Sequence, residues 1–321
     1  MLQQTSRSLH RFAAFLTLAV VGLIAAGGLV KSLEAGLSVP DWPTSYGGIN
    51  PPRWWEIENV RAEHGHRLIA GTVALLTVVL ALWARRSEPR RWVRRLAYGA
   101  VVAVLAQALL GGLTVLFFLP TAISVSHAAL AQFYLCLIVT FALVTSRSWL
   151  EVTSRPGPAS GVRDLRVLAA GTTCLIYLQT LVGALVRHTG SGLSIPDFPR
   201  MFGRWWPPEI DFGVGIHLTH RIGALVVTSM VVTLLVRIWR SGARSQFTIP
   251  ASLLGLLLVC QVSLGATIIW SSRAVLPNTL HVPTGAALLA TSLIVTLRSW
   301  RLASVLPTSD AVVGDASVVA V

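Results

Sequence analysis

Eight stretches of this chain stay apolar for close to, or beyond, the roughly 20 residues with which a helix crosses a bilayer. They lie near 12–30, 67–84, 96–118, 123–145, 165–186, 217–238, 250–270 and 280–297. Lipid offers the backbone no hydrogen bonds, so a spanning segment is a helix or part of a closed barrel, and runs of this length are helical. Of the 321 residues, 54% are hydrophobic and only 12% are charged, about half the charged share of a soluble domain. The chain is expected to fold as an all-α polytopic membrane protein with eight transmembrane helices.

The net charge of +13 invites a nucleic-acid reading, but its distribution argues against one. With a cytoplasmic N-terminus, 17 of the 26 basic residues fall in inner segments, the cluster Arg85, Arg86, Arg90, Arg91, Arg94 and Arg95 among them, and eight of the thirteen acids fall outside. The positive-inside rule then places both termini in the cytoplasm and the chain in the cell membrane, surrounded by lipid, with no nucleic-acid partner. Tryptophans mark both interfaces: Trp42, Trp54, Trp55, Trp205, Trp206 and Trp270 outside, Trp83, Trp92, Trp149, Trp239 and Trp300 inside. The first thirty residues have the composition of a signal peptide, yet Gly28-Leu29-Val30 returns as Ala184-Leu185-Val186, so the first span is expected to be retained. Cys136, Cys174 and Cys260 all fall within spans with no CxxC spacing, which supports neither a disulfide framework nor a thiolate metal site.

The chain is internally repeated. Gly36-Leu37-Ser38-Val39-Pro40-Asp41 returns as Gly192-Leu193-Ser194-Ile195-Pro196-Asp197, His66-Arg67 as His220-Arg221, and Gln107 with Gly111 as Gln261 with Gly265. The expected division is an N-terminal four-helix half (1–150), a cytoplasmic linker (151–162), a C-terminal four-helix half (163–300) and a cytoplasmic tail (301–321). Both halves start on the same side, so the tandem bundles are related by a pseudo-twofold axis along the membrane normal. The long outer loops after the first and fifth spans carry the repeated GLSxPD segment and are expected to pack over the outer mouth of the bundles.

His66 and His127 are 61 residues apart, and so are His220 and His281. All four sit near the outer ends of even-numbered spans, so each half can face two imidazoles across a four-helix bundle. That arrangement suits a bis-imidazole metal site, and in a membrane bundle the site expected is haem iron. Arg67 and Arg221 follow a candidate ligand at the rim, where a guanidinium can pair with a haem propionate; the alternative is an arginine snorkelling at a span end. Glu63 lies one helical turn before His66, on the same face, whereas the equivalent position in the second half is His217. A carboxylate near a haem edge can accept a proton or stabilise developing positive charge. His64 and His188 are read as outer-loop residues without partners, and neither they nor His10 as ligands.

These residues together resemble the haem A synthase family: Glu63-His64-Gly65-His66-Arg67, His127 in its Ser-His-Ala-x-x-Ala-Gln setting, His217-Leu218-Thr219-His220-Arg221, Leu280-His281, and the GLSxPDWP loop. The resemblance spans roughly 12–298. It implies an oxidoreductase acting on a CH3 group, which converts the C8 methyl of haem O to a formyl group by successive hydroxylations and so makes haem A for terminal oxidases. It further implies that His66 and His127 hold the substrate haem, that His220 and His281 hold a haem b cofactor with its iron, and that Glu63 is the catalytic residue. Candidate partners are a haem O synthase, an electron donor of unspecified identity, and a second copy in a homo-oligomer. Many bacterial members carry two cysteines flanking the PDWP segment. Val39 and Ser45 stand there in this chain, which places it in a cysteine-free class. The alternative function is a di-haem membrane electron-transfer cytochrome, which histidine pairs on opposite membrane sides would favour; a haem transporter is a third reading.

Overall fold

The structure, a computed structural model, describes residues 2–150, 162–242 and 244–305. The expected linker, except for its last residue, and the tail beyond Val305 lie outside the described residues. Among the described residues the elements are α1 (Leu2–Ser32), α2 (Glu58–Ser87), α3 (Arg91–Leu116), α4 (Thr121–Val144), a single turn α5 (Arg147–Leu150), α6 (Val162–His188), α7 (Phe212–Arg240), α8 (Arg244–Trp270) and α9 (Val275–Val305). All but α5 contain a segment long and apolar enough to cross a membrane. The all-α architecture with eight spans is therefore as expected.

In the first half α1 packs on α2, α2 on α3, α3 on α4, and α4 back on α1; α6 to α9 close the same ring. The two rings meet where α9 lies against α1 and α4 and where α6 lies against α4. This pattern is compatible with tandem bundles about a pseudo-twofold axis. Apolar side chains such as Leu18, Leu75, Val102, Leu225 and Val259 remain exposed around the outside, where lipid tails cover them. Hydroxyl pairs link helices within the core. Thr77 meets Tyr134 at 2.6 Å, and Thr173 meets Ser292 at 2.7 Å and Thr296 at 2.8 Å, the kind of polar contact that joins helices where hydrophobicity alone cannot.

The loops repeat as faithfully as the helices. In the first, Ser45 pairs with Gly48 across a turn at Tyr46 and Gly47; in the second, Met201 pairs with Arg204 across Phe202 and Gly203. The α3–α4 turn passes through Phe118 and Leu119 in left-handed conformation, and the α8–α9 turn through Ser272 and Arg273. Asp41 accepts from the Thr44 hydroxyl and the Gly47 and Tyr46 amides. Those bonds, the Thr44 one largest, hold its carboxyl down at about 2, so the loop keeps its anionic anchor across the physiological range.

The four histidine-bearing helices α2, α4, α7 and α9 begin before their apolar stretches do. α2 begins at Glu58, well before the apolar run at 67, because its first turns bury polar side chains against protein. Average hydropathy reads such turns as loop. The outcome is that His66 lies inside a helix and that His64, expected in a loop without a partner, is a buried helical residue. Its Nδ1 meets Ser45 Oγ at 3.0 Å and its ring packs edge-on to Trp54.

Candidate functional site

Each of the four histidines rests on a glycine of the neighbouring helix. A Cβ added at Gly27 in α1 would stand 3.0 Å from His66 Cε1; the same holds for Gly111 in α3 against His127 and Gly183 in α6 against His220. Gly265 in α8 faces His281 Cε1 at 3.4 Å. Any side chain at Gly27, Gly111 or Gly183 would push the imidazole by tenths of an ångström, enough to misplace a metal ligand. Gly183→Ala is therefore expected to overpack its site by about 1–3 kcal/mol and to broaden or remove any haem signal from the second bundle. Gly171→Ala, on the same helix and facing only Met230 at 3.7 Å, should leave that signal unchanged; haem-to-protein ratios of the two purified variants check this.

Three of the four rings are also clamped by a glutamine one turn before the glycine. The Gln107 amide nitrogen lies 3.3 Å from His127 Nε2 and donates to the His127 carbonyl at 2.9 Å. Gln179 lies 3.0 Å from His220 Nδ1 and donates to the His220 carbonyl at 2.7 Å; Gln261 lies 3.1 Å from His281 Nε2. The sequence signal is Gln-x-x-x-Gly, present in α3, α6 and α8. The internal repeat pairs Gln107 with Gly111 and Gln261 with Gly265 but hides Gln179 with Gly183, because the matching position in α1 carries Leu23. A second substitution accompanies the first: Gly223, whose missing side chain makes room for the Gln179 amide, is matched by Ile69 in the first half. Among these four histidines, His66 alone lacks a glutamine.

The residues fit haem. Two imidazoles on opposite sides of one metal ion, each about 2 Å from it, have ring centroids roughly 6 Å apart. The His220 and His281 rings are 6.4 Å apart and inclined at 67°. His66 and His127 are close enough to interact electrostatically. Nδ1 of His66, His127 and His281 is buried without a hydrogen-bond partner, and such orphaned groups are uncommon in a finished core. Among the described residues no three His, Cys, Asp or Glu side chains converge, so the donor sets are pairs of imidazoles, which haem accepts as axial ligands.

Glu63 and His217 occupy equivalent places and perform the same local task with different chemistry. Glu63 is 3% exposed. Its Oε2 accepts from the Val39 amide at 2.8 Å and its Oε1 from Arg67 at 2.6 Å. In the second half the Ile195 amide donates to His217 Nδ1 at 3.2 Å, and Arg221 Nε lies 3.3 Å from His217 Nε2. Arg67 also donates to the carbonyls of Val39, Asp41 and Thr44. Arg221 donates to those of Ile195, Asp197 and Arg200. These arginines, expected at a propionate, are thus engaged by the outer loops, which they and the Glu63 or His217 side chain hold down. In the first loop both positions of the absent cysteines join the anchorage: the Val39 amide binds Glu63 and the Ser45 hydroxyl binds His64.

His188 and His10 are not among the glycine-seated histidines. His188 ends α6, and His10 Nδ1 meets the Ala142 carbonyl at 2.8 Å. Beside His188, Arg187 ties the two bundles together, donating to the Asn278 carbonyl of α9 and to the Gly28 carbonyl and Ser32 hydroxyl of α1.

Fold and site define a multi-pass membrane protein of eight apolar helices, with four glycine-seated imidazoles on α2, α4, α7 and α9. The family model COX15-CtaA, cytochrome oxidase assembly protein, matches residues 10–293, and the chain belongs to that family. It is similar to the heme A synthase of Halalkalibacterium halodurans, 27% identical over 86% of this chain and 91% of the relative. It is similar also to that of Lysinibacillus sphaericus, 32% identical over 70% of this chain and 73% of the relative, and to that of Shewanella oneidensis, 28% identical over 83% and 86%.

Proposed function

We propose that this protein is a haem A synthase, an oxidoreductase that converts the C8 methyl group of haem O to the formyl group of haem A. The observation that carries the reading is the duplicated pair of glycine-seated histidines in a chain of this family. In this reading His66 and His127 bind the substrate haem, and His220 and His281 bind haem b. Haem b, when bound, supplies one-electron redox chemistry. Both termini face the cytoplasm, which puts the histidine end of the bundles outside.

Two differences between the halves support the assignment of roles. His66 has no glutamine clamp, which suits a site that takes up and releases its haem, since loss of such an outer partner typically weakens a metal site 10–100-fold. Glu63 places a carboxylate in the first bundle where the second has His217. With its two oxygens held by Arg67 and the Val39 amide, the carboxylate is fixed and shielded by the outer loop. Its remaining lone pairs can take a proton or face positive charge developing at the substrate methyl. At the rim, Arg67 and Arg221 are the candidates to meet propionates, sharing hydrogens that now serve the loop carbonyls.

Extraction and chromatography of total haem from cells that make haem O, with and without this protein, tests the function. Haem A is expected to accumulate only with the protein. Haem b bound to the protein with haem O unchanged, given a competent electron supply, would replace this reading with an electron-transfer cytochrome. The gathering of all four histidines near one end of the bundles argues against such a transmembrane wire.

A further inference from the structure

At the end of the bundles opposite the histidines, a cavity of about 40 Å³ lies between α4–α5 of the first half and α8–α9 of the second. Ser148, Trp149, Gln246, Arg298 and Arg301 line it, with Leu143 and Leu302 beside them. The Arg301 guanidinium stands 5.8 Å over the Trp149 ring, and on α6 Arg166 stands 5.1 Å over Trp300, the residue before Arg301. Stacking holds both cations in place without neutralising them. Nε of Arg301 and Nε of Arg166 are buried with no hydrogen-bond partner. Arg298 donates to the Gln246 carbonyl at 3.1 Å. Among the described residues no carboxylate pairs with Arg166, Arg298 or Arg301.

Cations gathered in a half-buried seam, with no carboxylate partner among the described side chains, are costly, and an anion that reaches them removes the cost. Guanidinium forks match the paired oxygens of a phosphate. Trp149 and Trp300 carry the two stacked guanidiniums, and indoles prefer the headgroup level of a bilayer. The ligand is amphipathic: the charged groups share the cavity with two leucines, and its surroundings are spanning helices. We propose that this cavity binds the phosphodiester of an anionic phospholipid, seated at the seam between the two bundles. Basic pockets between spanning helices take such headgroups, and a lipid held by both halves would fasten them at this end as Arg187 fastens them at the other. Free phosphate satisfies the arginines but not the leucines.

The test is the thermal midpoint of the haem-loaded, delipidated protein in neutral detergent after addition of phosphatidylglycerol, phosphatidylcholine or inorganic phosphate. Phosphatidylglycerol is expected to raise the midpoint and the other two to leave it in place. The double variant Arg298→Gln with Arg301→Gln should lose most of the shift while keeping its haem spectrum, since the histidines lie at the far end. Should that variant fail to fold, Ser148→Asp sets a carboxylate in the cavity without removing either cation, and it too should abolish the shift. Equal stabilisation by phosphatidylcholine, equal stabilisation by phosphate alone, or a phosphatidylglycerol shift that survives in the folded variants would each overturn the proposal.

Discussion

Alanine at His220 or His281 should leave the purified protein without haem b, whereas alanine at His66 or His127 should leave haem b in place and stop haem A formation. The expectation rests on the separation of the two sites into two closed helical rings. Each histidine is seated on a glycine of its own ring, so removing one imidazole disturbs one site. Loss of an axial ligand should exceed the roughly 10–100-fold cost of losing an outer-shell partner, because it removes one of the two protein bonds the site offers to iron. Pyridine haemochrome spectra of the four variants, with product analysis, check the result. Haem b that disappears with His66 and survives loss of His220 would reverse the roles of the halves.

Replacing Glu63 with either Gln or His should lower turnover by roughly 10²–10⁴-fold, the range for a lost acid–base or charge-stabilising group, with haem b unaffected. The histidine variant is the sharper probe. His217 shows that an imidazole at this position can hold the loop amide and meet the adjacent arginine. Glu63→His therefore conserves the anchorage and removes only the carboxylate. If Glu63 served the loop alone, Glu63→His would remain active while Glu63→Ala would not. Single-turnover conversion of bound haem O in the three variants separates the two roles.

Much of this was legible before any coordinates. Helix number followed from apolar run length, and the histidine pairs from a spacing that occurs twice. What escaped is polar and depends on neighbours. Average hydropathy does not distinguish a polar loop from a polar helical turn turned inward, so it reads His64 as a loop residue although α2 begins at Glu58. The glutamine clamp spans two helices, and its pattern was hidden at the one place, Leu23, where it is broken. The repeated His-Arg step points to Arg67 and Arg221, but that they reach back to carbonyls more than twenty residues earlier depends on a loop path that no local pattern encodes.

The aromatic caps of the two outer loops have diverged together with the surfaces beneath them. Trp42 lies against Gly112 of α3 so closely that a Cβ there would collide with the indole. In the second half Phe198 stands instead beside Trp270 of α8, which donates to its carbonyl, and Ala266 occupies the position matching Gly112. The duplicated loops are thus no longer interchangeable parts. A transplant of the tryptophan-bearing loop onto the second bundle would meet a methyl group where it needs a gap, so each roof can be inherited only with its own floor.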